Sequence, residues 1–191
     1  MNKKHKFAFL SLILTLVFSS YYLIIGLLSS SWWLLTLGAY NLILSVLRFI
    51  VLRIKDKEIF IRKFTGCMLM LLTGPLIGTV ILSVARDRGK KFHTIVMIAI
   101  AAYAFTRISI ATINLIKSRK TNSQTVKSLR NIAFSDALVS IFALQRSMLV
   151  SFEGMTESEI IIMNATLGAA VCVVVFMLGL HLVLQNAKRN Q

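Results

Sequence analysis

Six apolar runs dominate this chain, covering residues 7–30, 32–53, 65–84, 93–116, 128–150 and 161–184. Each is near or above the roughly 18 residues that let a helix cross a bilayer. Hydrocarbon offers no water to a peptide group, so such a run must close its own backbone hydrogen bonds. Only helices and closed barrels do so. Barrel strands alternate polar and apolar residues over short segments, whereas these runs are continuous. A single proline in 191 residues also argues against a loop-rich or all-β chain. The expected fold class is all-α: a polytopic helical membrane protein of about six transmembrane helices. It forms a single transmembrane domain over residues 1–191, with both termini cytoplasmic.

The connectors refine this picture. The opening MNKKHK resembles the charged front of a signal peptide. The apolar run behind it continues to Ser30 with no small-x-small cleavage site, so an uncleaved first span is expected. Ser29, Ser30 and Ser31 mark the join of the first two runs. Together those runs are too long for one crossing, so a tight turn is expected at the serines, with Trp32 and Trp33 at a membrane surface where indoles prefer to lie.

Charge sets the orientation. The formal net charge is +15, which in a soluble domain would suggest nucleic acid. Here the basic residues sit in short connectors, so no nucleic-acid partner is expected. Lys3, Lys4 and Lys6 precede the first span; Arg53, Lys55, Lys57, Arg62 and Lys63 follow the second. Lys117, Arg119, Lys120, Lys127 and Arg130 follow the fourth, and Lys188 and Arg189 follow the sixth. An even number of spans puts all four groups on one side, the cytoplasm, beside anionic lipid head groups. Glu153, Glu157 and Glu159 fall on the other side. One turn breaks the pattern: Arg86, Arg88, Lys90 and Lys91 face outward in this topology. Either the other loops outvote it, or it contacts outward anionic groups such as lipid phosphates.

Catalytic signatures are missing: no HExxH, no GxSxG and no glycine-rich phosphate loop. His5, His93 and His181 lie in three separate segments, and Cys67 and Cys172 form no CxxC pair. No cofactor and no metal are expected. The informative residues are ionisable groups at membrane depth, where a charge costs around 2.5–3.5 kcal/mol on insertion scales. Arg107 lies ten residues before Lys117, and Asp136 eight residues after Ser128. At about 1.5 Å per residue their depths match to within a few ångströms, so an ion pair between the fourth and fifth spans is expected. Tyr103 and Asn114 share a helical side with Arg107; Ser140 and Ser147 share one with Asp136. Such a seam either glues two helices or lines a cavity for a solute or proton. Arg146 and Arg48 are expected to snorkel toward opposite surfaces.

Small residues give a second signal. Gly74 and Gly78 flank Pro75 in a small-xxx-small spacing that permits close helix approach. Either tight packing with a kink or a broken helix at a binding site follows. Ala165, Ala169 and Cys172 suggest a packing face on the sixth span.

Several stretches carry a resemblance. Tyr103 through residues 114–117, the segment NIAFSDALVSIFAL (131–144), the segment LGAAVC (167–172) and the RxRGKKFH-like turn together resemble a family of six-span integral membrane proteins of Firmicutes. The likeness covers nearly the whole chain. It implies the six-span topology and a bacterial plasma-membrane location, and brings no activity with it. In that family the position of Asp136 is often apolar, so this chain departs from it there. The chain is more weakly similar to the substrate-binding subunits of energy-coupling-factor vitamin transporters. These are six-helix proteins that sometimes carry a GP-x-x-G run, but the AxxxA signature of their first helix is absent from residues 7–30.

Three function classes follow. The first is a non-enzymatic protein that binds or moves a small solute or ion at a polar centre of Arg107, Asp136, Tyr103, Asn114 and Ser140. The second is a structural or accessory subunit, packing against a membrane protein partner or its own copies through Gly74, Gly78 and the Ala165–Cys172 face. The third, a lipid-active enzyme using the outward basic turn, has least support because the motifs are missing.

Overall fold

The computed structural model describes residues 3–54, 58–85, 94–117, 124–151 and 155–184. These residues form six α-helices: α1 (Lys3–Leu28), α2 (Trp32–Arg53), α3 (Glu58–Ala85), α4 (Thr94–Lys117), α5 (Gln124–Ser151) and α6 (Glu157–Leu184). Four of them, α2, α3, α5 and α6, are long and apolar enough to cross a membrane. The apolar stretches of the other two are shorter, Thr15–Leu28 in α1 and Ile98–Ile113 in α4. The all-α class and the helical membrane character are therefore both present. The helix α3 starts at Glu58 rather than at residue 65, because basic residues end an apolar run without ending a helix.

Local chemistry makes the ends. At the serine turn, Ser31 N donates to Gly26 O at 3.0 Å and Ser30 N to Leu27 O at 3.3 Å. Ser30 takes the left-handed φ of 50°. This is the Schellman pattern, which satisfies the last carbonyls of α1. Ser31 then caps α2, its hydroxyl accepting from Leu34 N at 3.5 Å. At the start of α6, Thr156 and Glu159 form a capping box: Thr156 N donates to Glu159 Oε2 at 2.9 Å, and Glu159 N donates back to Thr156 Oγ1 at 3.4 Å.

The helices pair as α1 with α2, α3 with α6 and α4 with α5, and α5 also touches α2, α3 and α6. That makes α5 the hub: 67% of its apolar window is buried, against 33% for α3 and for α6. Lipid requires apolar side chains only on the faces that meet it, so the helix with the most internal surface can carry the most polar residues. Accordingly α5 buries Ser128, Ser135, Asp136, Ser140, Arg146 and Ser147. By contrast α3 and α6 leave Leu71, Ile81, Val173 and Met177 exposed.

Within the chain, the close approaches of α3 and α6 fall at Gly66, Gly168 and Gly179. A Cβ on Gly66 would lie 2.7 Å from Gly179 O, and one on Gly168 would lie 2.6 Å from a Val80 methyl. Gly74 and Gly78 meet nothing within 4 Å, and Ala169 is exposed while Ala165 is half-buried. The face of α6 that packs within the chain carries Asn164, Gly168, Val171, Cys172, Val175, Gly179 and Leu182. Of the expected face, Cys172 lies on this inward side, while Ala165 and Ala169 lie beside it around the helix. The tryptophans also part company. Trp32 is exposed, as a surface indole should be, but Trp33 is fully buried because it turns inward with Leu34 and Leu37.

Candidate functional site

Four helices meet at a charged centre in the bundle interior. On α4, Arg107 extends its Nη2 to within 2.6 Å of Asp136 Oδ2 on α5. On α2, Arg48 brings its own Nη2 to 3.0 Å from the same oxygen. On α1, the Thr15 hydroxyl accepts a hydrogen bond from Arg48 Nη1 at 3.0 Å and another from Arg107 Nη2. All four side chains are buried: Asp136 and Thr15 at 0% exposure, Arg107 at 2% and Arg48 at 3%.

Each residue arrives there on a helical face already committed to the interior. The buried face of α1 carries Leu12, Thr15, Ser19, Tyr22 and Gly26. It is held against α2 by the Ser19 hydroxyl, which donates to Gly38 O at 2.8 Å. On α2 the inward polar positions are Asn41, Ser45 and Arg48, at the i, i+4, i+7 spacing of one side. Asn41 and Ser45 turn their donors onto their own helix, to Leu37 O at 3.0 Å and Asn41 O at 2.9 Å. Arg48 is long enough to cross to α5.

An aromatic wall stands beside Arg107. Its Nε donates to the Tyr103 hydroxyl at 3.0 Å, one turn earlier on α4, and its guanidinium carbon lies 5.1 Å from that ring's centroid. Phe18 stacks on Tyr103 at 4.2 Å, and Tyr22 meets it edge-on at 5.9 Å. The rings pack apolar surface beside the ionic contacts, and Coulomb attraction strengthens as the local dielectric falls.

Two of the expectations about arginines are corrected. Arg48 does not snorkel to a surface; Asp136 offers a buried counter-charge within its reach. Arg146 does not snorkel either. It is 1% exposed, its Nη1 donates to Ser83 O at 2.6 Å, and its guanidinium lies over the Trp33 ring at 4.5 Å from the centroid. Ser83 is in the last turn of α3, where carbonyls lack intrahelical partners. Arg146 therefore caps a helix end from inside the bundle, which a surface position would not do.

The expected pairing of Arg107 with Asp136 is present, with Tyr103 attached to it. Ser140 is buried but returns its hydroxyl to Asp136 O at 2.8 Å, so it lines the centre without touching the charges. The side chain of Asn114 and the turn with Arg86, Arg88, Lys90 and Lys91 lie outside the described residues. Arg48 and Thr15 are members that sequence reasoning missed. The polar spacing Asn41, Ser45, Arg48 was the available signal for the first; a lone threonine gave none. Among the described residues no three His, Cys, Asp or Glu side chains gather as a metal site would require. The arrangement of the described residues suits binding charge or locking helices.

Comparisons with protein-family models, with curated proteins and with solved structures find no match.

Proposed function

We propose that this chain is a multi-pass protein of the bacterial plasma membrane that binds a small solute or ion at the Arg48–Asp136–Arg107 centre, without performing covalent chemistry. Its topology in this reading has six crossings with both termini in the cytoplasm. Two features support that orientation: Arg53 closes α2 and Lys63, Lys127 and Arg130 lie in the first turns of α3 and α5, whereas Glu157 and Glu159 open α6.

The observation that carries the binding reading is the second guanidinium. Gluing helices requires one ion pair; a second arginine on the same oxygen adds an unbalanced buried charge. Ionised groups at this depth are expensive and mark ligand or ion sites by default. The test is thermal unfolding of the purified protein in detergent against a panel of small anionic, cationic and neutral solutes. A saturable rise in midpoint that disappears in Arg107→Gln is expected. No response to any class would overturn the reading.

A second reading has its own observation. Gly74 and Gly78 on α3 meet nothing within 4 Å, beside exposed Pro75, and small residues on an open helix face let a neighbouring membrane helix approach closely. In that reading the chain is an accessory subunit, and Gly74→Leu would abolish a cross-linked complex while leaving the monomer folded.

A further inference from the structure

We infer that the seam between α1 and α4 is a lateral gate: α1 pivots on α2, parts from α4 and opens the Arg48–Asp136–Arg107 centre toward the bilayer. Such a gate governs access to the centre and does not depend on what binds there.

The first observation is how the two helices meet. The backbone of α1 runs against α2 and that of α4 against α5, but α1 and α4 are not such a pair among the described residues. Long side chains span the seam instead. Arg107 Nη2 donates to the Thr15 hydroxyl. Phe18 stacks on Tyr103 with ring centroids 4.2 Å apart, and Tyr22 meets the same ring edge-on at 5.9 Å. Helices in lipid hold together by close approach of their backbones at small residues. A seam bridged by rings and an arginine lacks that packing, so it is the flank of the centre that parts at least cost.

The second observation is the firm hold of α1 on α2 toward the serine turn. A Cβ on Gly26 would lie 3.0 Å from Leu35 N, and one on Gly38 would lie 3.1 Å from Leu23 N. Ser19 donates to Gly38 O at 2.8 Å, and the left-handed Ser30 fixes the join of the two helices. Thr15 and Phe18 lie on the far side of Ser19 from that turn. A swing of α1 about this hold therefore carries both of them away from α4.

The third observation is what the swing leaves behind. Asp136 on α5 is held by Arg48 from α2 and Arg107 from α4, and α1 contributes neither. Thr15 is neutral, so its departure strands no charge, the event that makes a buried ionic site expensive to disrupt. Both helices already meet lipid beside the seam, through exposed Val17 on α1 and exposed Phe105 on α4.

The experiment uses the full-length protein in lipid nanodiscs, with Cys67→Ser and Cys172→Ala removing the native thiols. Nitroxides are attached through Val17→Cys and Phe105→Cys, at exposed positions on either side of the seam. The register of Thr15 with Arg107 and of Phe18 with Tyr103 puts them at one depth. Val17→Cys with Ile43→Cys, exposed on α2, is the control pair. Pulsed electron paramagnetic resonance should give a short and a longer distance across the seam, and one narrow distance in the control. Phe18→Ala should raise the open-to-closed ratio roughly two- to tenfold, the worth of one aromatic pair. Thr15→Val, which keeps the shape and loses the hydroxyl, should shift it the same way. In a second readout, Thr15→Cys should react with a lipid-dissolved maleimide, while Ser19→Cys, equally buried but turned to α2, should not. A single narrow distance across the seam that neither Phe18→Ala nor Thr15→Val changes overturns the gate. Equal broadening in the control pair, or equal labelling at residues 15 and 19, does so too, because α1 is then loose as a whole.

Discussion

Gly66 and Gly179 face each other so closely that a Cβ on either would stand 2.7 or 2.8 Å from the carbonyl oxygen of the other. Backbone meets backbone there, and no flexible side chain can yield. In lipid, helices associate through such van der Waals contact because exposed leucine is already well solvated.

The consequence is a sharp contrast between glycines of one helix. Gly66→Ala should destabilise by roughly 1–3 kcal/mol, the range for inserting a methyl into a well-packed contact. Gly74→Ala and Gly78→Ala should fall within about 0.5 kcal/mol of the unaltered chain, as substitutions in open space do. Denaturant unfolding in mixed micelles measures all three.

Trp32 and Trp33 are the two tryptophans of the chain and occupy opposite environments, 59% and 0% exposed. Trp33→Phe leaves an indole that brominated lipid should quench strongly. Trp32→Phe leaves one that should resist both brominated lipid and acrylamide and emit further to the blue. Equal quenching of the two would contradict the inward rotation of Trp33 beneath Arg146.

The thiols offer a probe of the α3 and α6 faces. Cys67 is exposed and Cys172 buried against the neighbouring helices. A membrane-permeant maleimide should modify Cys67 several times faster than Cys172 in folded protein, the difference vanishing in denaturant. Mass spectrometry of the labelled peptides reads the ratio.

Much of this arrangement was legible in the sequence, and the reason differs by residue. Continuous apolar runs located every helix, since length and hydropathy are local quantities. Arg107 and Asp136 were legible as a pair because opposite charges at matched depth have few other ways to be neutralised. Arg48 was not: five residues from Arg53, it lay near enough to a helix end for the surface to look cheaper than the interior. Whether a long side chain turns outward or inward depends on which helix stands opposite, and no single span contains that information. The contact of α3 with α6 was hidden for a related reason. Gly74 and Gly78 carry the local spacing and meet nothing within this chain, whereas the face that meets α6 is set by tertiary packing and carries Gly66.

The charged centre yields an ordering that a simple ion pair would not. Arg107→Gln leaves Arg48 and Asp136 as a balanced pair and removes hydrogen bonds to Thr15 and Tyr103; a loss of about 1–3 kcal/mol is expected, typical of bonds to charged groups. Arg48→Gln leaves the other balanced pair and should cost a similar amount. Asp136→Asn differs in kind. It strips the shared counter-charge and leaves two guanidiniums facing each other in a buried site, so it should cost about 3–5 kcal/mol, the range for orphaning a buried charge. Replacing all three by Leu or Met removes the desolvated charges together and should recover much of that loss, since apolar substitutes for whole buried ionic clusters are often neutral or stabilising. Unfolding free energies of the four variants in one detergent test the scheme. If Arg107→Gln proves as damaging as Asp136→Asn, charge balance does not govern this site, and the hydrogen bonds to Thr15 and Tyr103 do.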